Sequence, residues 1–240
     1  MEAYFLYVPL VKSKYMEQTM YYMLLRLPLF QGMGKEDLFE ILEQTTFHFR
    51  RVEDGRVVFR QGEQCGELTF LMNGTLVAET QAPHADFSFA EELCSYMVIE
   101  PQSLFGKCPR YKATYRARGE VSLLCIDKRE VYRLLEMYEI FRINLLNMLC
   151  CKAENLYERL WTVAPHGSEG RVALFIRSLC TTPQGTKVLR IKMEDLAELL
   201  DDTRLNISRV LNKWCEEGLV VMNRKKFVFS DVQKLAPHIP

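Results

Sequence analysis

The sequence predicts an α+β chain: an N-terminal jelly-roll-like β-barrel, a long dimerisation helix and a C-terminal winged helix-turn-helix. Three observations predict it. Between Phe47 and Ile126, short runs rich in Val, Phe, Tyr and Leu are broken by Asp54-Gly55, Gln61-Gly62, Asn73-Gly74 and Arg118-Gly119, the texture of a sandwich or barrel. From Asp127 to Val163 there is no Gly or Pro, and apolar residues recur at helical spacing. Beyond Ala164-Pro165-His166-Gly167-Ser168 the pattern reads helix, helix, helix, then two short strands around a basic turn. The expected division is therefore residues 15–126, 127–164 and 165–240.

Composition sets the outer bounds. The 240 residues fit one large or two modest domains at about 100–200 residues each. Hydrophobic residues at 48% and charged residues at 26% are ordinary for a folded chain and argue against extensive disorder. The longest stretch free of Asp, Glu, Lys and Arg is Leu68 to Ala78, 11 residues, against the roughly 20 a membrane span needs. No basic region leading into an apolar run marks Met1–Lys14 as a signal peptide, so the eight cysteines are expected to be reduced in a cytoplasmic protein with no membrane partner.

The elements follow in order. Residues 15–46 read as helical around the turn Leu27-Pro28-Leu29-Phe30-Gln31-Gly32. Asn73-Gly74 lies between two runs of strand formers and tolerates the positive φ of a tight turn, so a hairpin is expected there. Asp127 and Glu130 have the spacing of a capping box at the start of the long helix. Along that helix Leu145, Leu149, Lys152, Leu156, Leu160 and Val163 advance by fours and threes, a coiled-coil spacing that makes Leu145, Leu149, Leu156 and Leu160 the expected homodimer seam. Lys152 interrupts this seam. Ile143, Leu146, Met148 and Cys150 form a second apolar face, so packing of the helix on its own domain explains part of the pattern.

In the C-terminal part, Gly170–Cys180, Met193–Leu200 and Thr203–Cys215 read as helices, with Asp202 or Thr203 capping the third and Gly218 closing it. Leu196, Ala197 and Leu200 face Ile207, Val210 and Leu211, and the small Ala197 permits close helix approach. The net charge of zero, 31 basic against 31 acidic residues, would argue against a nucleic-acid partner if it were evenly spread. It is not: residues 165–240 carry 12 Lys+Arg and 9 Asp+Glu, a net of +3, which leaves −3 for residues 1–164. A solvated charged face would give the same asymmetry. The placement of the charges favours double-stranded DNA: Thr203, Arg204, Asn206, Ser208, Arg209 and Lys213 on the third helix, and Arg224, Lys225 and Lys226 on the strand–turn–strand. Arg pairs with guanine acceptors and Asn with adenine, while a basic turn supplies phosphate contacts.

This order of parts resembles the Crp–Fnr superfamily of bacterial transcription regulators. Leu27-Pro28-Leu29-Phe30, Val57-Val58-Phe59-Arg60-Gln61-Gly62-Glu63, Phe70-Leu71-Met72-Asn73-Gly74-Thr75-Leu76, Gly170-Arg171-Val172-Ala173, and Asp195-Leu196-Ala197 through Val210-Leu211 are similar to the family's segments in the same order. The resemblance implies a homodimeric, sequence-specific regulator that reads a near-palindromic site, with RNA polymerase a further candidate partner. Members that bind cyclic AMP carry Gly-Glu-Leu, a loop and Arg-Ser-Ala, the Glu holding the ribose and the Arg and Ser the phosphate. Here the matching stretch is Phe105-Gly106-Lys107-Cys108, with Lys107 in place of the Glu; Tyr111 and Lys112 fall at the Arg-Ser pair, and Leu156 and Tyr157 replace the hydroxyl residues that would meet the purine. Cyclic AMP is therefore not expected. Phe105, Gly106, Lys107, Tyr115, Arg116, Leu156 and Tyr157 are the candidate effector pocket; Arg116 either serves an anion there, beside Tyr111, or pairs with a carboxylate such as Glu120.

Other chemistries find no constellation. The cysteines form no Cys-x-x-Cys pair and no iron–sulfur cluster motif, although Cys65 and Cys108 lie in loop-like settings open to redox sensing. His48, His84, His166 and His238 give no zinc signature, and no residue identifies an axial haem ligand, which leaves haem open. Gly34-Lys35 and Gly106-Lys107 both fail the phosphate-loop pattern, so no enzyme is expected. The competing reading is an anion- or redox-sensing module whose winged helix contacts protein rather than DNA.

Overall fold

A computed structural model describes residues 14–83, 86–162 and 167–238. The reading of the extreme N-terminus, the expected linker Ala164-Pro165-His166, the seam's last residue Val163, and His84 lie outside the described residues. The chain forms two compact units: residues 1–76, 94–112 and 116–156, and residues 77–93, 113–115 and 157–240.

The first unit opens with helices α1 (Lys14–Leu25) and α2 (Lys35–Gln44), joined by a short 3-10 turn at Pro28–Phe30. Along the chain follow β1 (His48–Val52), β2 (Val57–Phe59), β3 (Glu67–Gln81, in this unit up to Leu76), β4 (Ser88–Cys94, in the second unit up to Leu93), β5 (Met97–Ile99), the one-turn α3 (Gln102–Phe105) and β6 (Thr114–Asp127, in this unit from Arg116). The sheet is antiparallel, with β1 on β6 in the register His48 to Cys125 through Val52 to Val121, and β3 on β5 with Thr69 opposite Ile99. Phe30 ties the helices to this sheet, its ring 5.8 Å from Phe70 and 5.2 Å from Phe141.

The hairpin expected at Asn73-Gly74 does not form. β3 runs unbroken through it, and Gly74 takes φ +89° where a Cβ would meet the Glu120 carbonyl oxygen at 2.5 Å. The glycine serves close approach of two strands rather than reversal of the chain, the alternative use of Gly inside a strand.

The helical stretch after Asp127 is divided. α4 (Lys128–Met137) ends at Tyr138, whose extended backbone (φ −116°, ψ 107°) separates it from α5 (Glu139–Trp161). No Gly or Pro marks the break; it is held by bonds from Tyr138 N to Leu134 O (3.0 Å) and from Arg142 N to Tyr138 O (3.1 Å). The capping box is also absent. Asp127 stands at the N-cap without a side-chain cap bond, its Oδ2 instead 3.3 Å from His48 Nε2, and Glu130 pairs with Arg133 at 3.0 Å. Asn144 fixes α5 to the N-terminal turn, its Nδ2 donating to Leu29 O and Gln31 O.

The second unit contains α6 (Ser168–Leu179), β7 (Lys187–Arg190), α7 (Met193–Leu199), α8 (Arg204–Glu216), β8 (Val220–Asn223), β9 (Lys226–Phe229) and a closing 3-10 turn at Val232–His238. The three helices and the terminal hairpin match the sequence pattern; β7 was not legible from it. β4, β7, β9 and β8 hydrogen-bond in that order, all antiparallel, with Ser88 opposite Arg190 and Lys187 opposite Phe229. Val172, Ile176, Leu189, Leu196, Ala197, Ile207, Leu211, Trp214, Phe227 and Phe229 are the core of this unit. No helix among the described residues is long and apolar enough to cross a membrane.

Candidate nucleic-acid interface

The turn between α7 and α8 is held by one carboxylate. Asp202, with a side chain 3% exposed, accepts from Arg171 Nη2 at 2.6 Å, Thr203 N at 2.7 Å and Asn206 Nδ2 at 2.9 Å. A hydrogen bond from Ser168, then those from Asn206 and the Thr203 amide and the charge of Arg171, hold its carboxyl at about 2, against the opposing effect of burial. Arg171 Nη1 also donates to Asp201 O, and Asp201 takes φ +48°. Thr203, not Asp202, caps α8, its Oγ1 accepting from Asn206 N at 3.2 Å. This is the reciprocal use of short polar side chains at a helix start.

Four of the six residues expected on α8 have partners within the unit. Arg204 Nε lies 3.2 Å from Glu194 Oε1, both well exposed, so this pair is weak and readily exchanged. Asn206 is half-buried and its amide donates to Asp202, which removes it from the outer face. Thr203 is the cap. Lys213 donates to both oxygens of Glu169 at 2.9 and 3.1 Å, and the hydrogen bond raises its pKa from the ordinary value. Trp214 Nε1 shares that carboxylate at 2.9 Å. Ser208 is half-buried, and Arg209 is exposed with no ion pair among the described residues. Two exposed residues went unrecognised in the sequence, Leu205 and Asn212. With Arg209 they follow the i, i+4, i+7 spacing of one helix face, which was the available signal.

The hairpin β8–β9 pairs Val220 with Phe229 and Asn223 with Lys226, leaving Arg224 and Lys225 as a two-residue turn. Both are exposed, and Lys226 is half-buried at the start of β9. Lys225 takes φ +58°, a left-handed conformation that Gly or Asn adopts more readily, and its carbonyl accepts from Ile191 N at 3.1 Å.

The residues of the expected effector pocket fall in both units. In the first unit, Tyr111 is buried and stacked on Phe59, centroids 4.2 Å apart. Arg116 is exposed and its Nη1 donates to Gly55 O at 2.6 Å, with no ion pair to Glu120 among the described residues. Phe105, Gly106, Lys107 and Leu156 are exposed, with Lys128 Nζ 5.1 Å from the Phe105 ring centre. In the second unit, Tyr115 is buried and Tyr157 is exposed, 6.0 Å from the Trp161 ring. The Lys112 amide donates to both carboxylate oxygens of Glu100 at 2.9 Å, and Ser103 Oγ donates to the same group at 2.7 Å. Glu100 is buried and takes φ +39°.

The seam residues divide. Leu145 is 4% exposed and belongs to its own core, Leu149 is half-buried, and Leu156 and Leu160 are exposed. Lys152 turns inward: its Nζ donates to Gln102 Oε1 at 3.0 Å, and desolvation lowers its pKa while the charge of Glu100 works the other way. The exposed series on α5 is Ile143, Leu146, Cys150, Ala153, Tyr157 and Leu160, again stepping by threes and fours but offset from the expected one.

All eight cysteines are free thiols. Cys65 is buried, and desolvation pushes its thiol up, which removes the loop-like exposure expected of it; Cys108 is exposed. Among the described residues no group of three His, Cys, Asp or Glu could hold a metal ion.

Comparison with known proteins agrees with this geometry. A model of the cyclic nucleotide-binding domain matches residues 49–138, and a model of the Crp-like helix-turn-helix domain matches residues 170–237. The fold is similar to that of Thermus thermophilus catabolite activator protein, with 21% identity, 88% of this chain and 97% of that chain covered, and a TM-score of 0.51. It is also similar to the sensor domain of the transcriptional regulator DNR from Pseudomonas aeruginosa, with 20% identity, 63% and 98% covered, and a TM-score of 0.51. A search of curated proteins finds no match. With a cyclic nucleotide-binding domain followed by a Crp-like helix-turn-helix, in the order its own elements show, the chain belongs to the Crp–Fnr superfamily of DNA-binding transcription regulators.

Proposed function

We propose that the chain is a homodimeric, sequence-specific regulator whose α8 enters the major groove of a near-palindromic site, under control of an effector other than cyclic AMP. In this reading residues 15–126 sense, 127–164 dimerise and 165–240 bind DNA in the cytoplasm. The observation that carries it is the outward arc of α8, with Arg209 uncommitted, beside a turn presenting Arg224 and Lys225. Arg209 supplies a base-reading fork, the turn supplies phosphate contacts, and Arg204 joins by leaving its exposed partner Glu194.

The dimer is supported by the apolar exposed series from Ile143 to Leu160, a surface of the composition that a second copy of the same helix covers. Two copies so related bring their recognition helices to half-sites about one helical turn, 10 base pairs, apart. Exclusion of cyclic AMP is supported by Tyr111 and Lys112: the ring of the first is stacked on Phe59, and the amide of the second is bonded to Glu100. The buried Tyr111 offers a cyclic phosphate no guanidinium, and the Lys112 amide is already committed. The test is selection of duplexes from a random pool by the full chain, followed by titration of the selected duplex at rising salt. Enrichment of an inverted repeat and a steep salt slope are expected.

A further inference from the structure

Leu205 is 59% exposed in the first turn of α8, where an apolar side chain gains little from the fold. Its neighbours have partners inside the unit: Arg204 with Glu194, Asn206 with Asp202, and Lys213 with Glu169. Leu205, Arg209 and Asn212 remain as one outward arc. The residues of a recognition helix that meet base edges lie chiefly at its N-terminus. The major-groove edges of the four bases offer donors and acceptors with one apolar exception, the C5-methyl of thymine.

We infer that Leu205 packs on a thymine C5-methyl group and so specifies one base of each half-site, an inference that rests on the DNA-binding reading above. Every polar side chain in the same place would gain a hydrogen bond elsewhere in the groove; a leucine gains only from that methyl. Leu205 and Arg209 are four residues apart, about 6 Å along the helix axis, close to the span of two base-pair steps at about 3.4 Å each. The half-site therefore contains a thymine for Leu205 and, about two base pairs away, a guanine for Arg209.

The experiment uses the duplex selected by the full-length wild-type chain. Each thymine of a half-site is replaced in turn by deoxyuridine, which keeps the base pair and loses only the methyl. Binding by wild type and Leu205→Ala is followed by fluorescence anisotropy. One position should weaken wild-type binding by about fourfold, the factor that one buried methyl group contributes. Leu205→Ala should bind the thymine and uracil duplexes equally, and Leu205→Met should keep the discrimination. The dependence on salt should be the same for all three proteins, because no charge changes. The inference is overturned if no uracil position weakens wild type, or if Leu205→Ala discriminates as wild type does. Failure of the selection to enrich any duplex is a different result: it removes the DNA-binding reading itself and this inference with it.

Discussion

The ammonium of Lys187 is fully buried 3.2 Å from the carboxylate of Glu91, joining β7 to β4 through side chains as well as through the backbone ladder. The pair is well satisfied. Lys187 Nζ also donates to Gln184 O at 2.7 Å, and Glu91 accepts from Thr181 N at 3.0 Å. Outside it, Arg190 reaches Glu79 at 2.8 Å and Lys192 reaches Asp86 at 3.3 Å, so the end of β3 and the approach to β4 are also paired. Removing one member leaves an uncompensated buried charge, which costs about 3–5 kcal/mol, whereas replacing both by apolar residues costs far less. Lys187→Met should destabilise the chain by that amount in chemical denaturation, and Glu91→Leu/Lys187→Met should recover most of it. A double variant as unstable as the single one would show that the charges are not coupled.

Asp202 gives the α7–α8 turn a defined acid limit. Its folded carboxyl titrates at about 2 against an ordinary 3.8, so its stabilising contribution is complete above about pH 4 and is lost as pH falls from 4 toward 2. Wild type should therefore exceed Asp202→Asn in stability at pH 5, with the gap closing through that window. A gap that is constant with pH would mean that the charge of Asp202 does not hold the turn.

The offset on α5 separates two kinds of leucine. Leu146→Glu or Tyr157→Glu should convert a dimer to monomers in sedimentation equilibrium while leaving each monomer folded, because both side chains are exposed. Leu145→Ala removes a buried side chain and should cost about 2–5 kcal/mol of stability instead. Lys152→Leu discriminates further: it strengthens the dimer only if Lys152 lies in the seam, and its bond to Gln102 predicts no such gain.

Lys225 holds a left-handed conformation that costs a side-chain-bearing residue about 1 kcal/mol or more relative to glycine. Lys225→Gly should leave the folded chain at least as stable in thermal denaturation while weakening DNA binding equally across sequences. Removal of one phosphate contact should also reduce the slope of log affinity against log salt by about one. Loss of stability without a change in slope would make the lysine structural.

Much of this protein is readable before folding, and the exceptions have specific causes. The helices of the C-terminal unit follow from Leu196, Ala197, Ile207 and Leu211 at helical spacing, and the core contains all four. The break at Tyr138 carries no Gly or Pro, so no local punctuation marks it in the sequence. Asn73-Gly74 misleads because the positive φ that suits a tight turn also suits a close strand crossing, and only the carbonyl of Glu120 tells the two apart. On α5, leucines recur at coiled-coil spacing on a buried face and an exposed face alike, Leu145 on the first and Leu156 and Leu160 on the second, and identity alone does not say which is outward. On α8 polarity does not separate outward residues from structural ones: Asn206 and Lys213 bond within the unit, whereas the apolar Leu205 is exposed.

In the proposed complex the arc of α8 reads base edges and the basic turn holds phosphates. The most direct measurement is the affinity of wild type, Arg209→Ala and Lys225→Gly for the selected duplex and for a scrambled one, over a range of salt. Loss of about 1–3 kcal/mol on the selected duplex alone is predicted for Arg209→Ala, and loss on both duplexes for Lys225→Gly. Equal, salt-independent affinities of all three proteins for both duplexes would contradict it.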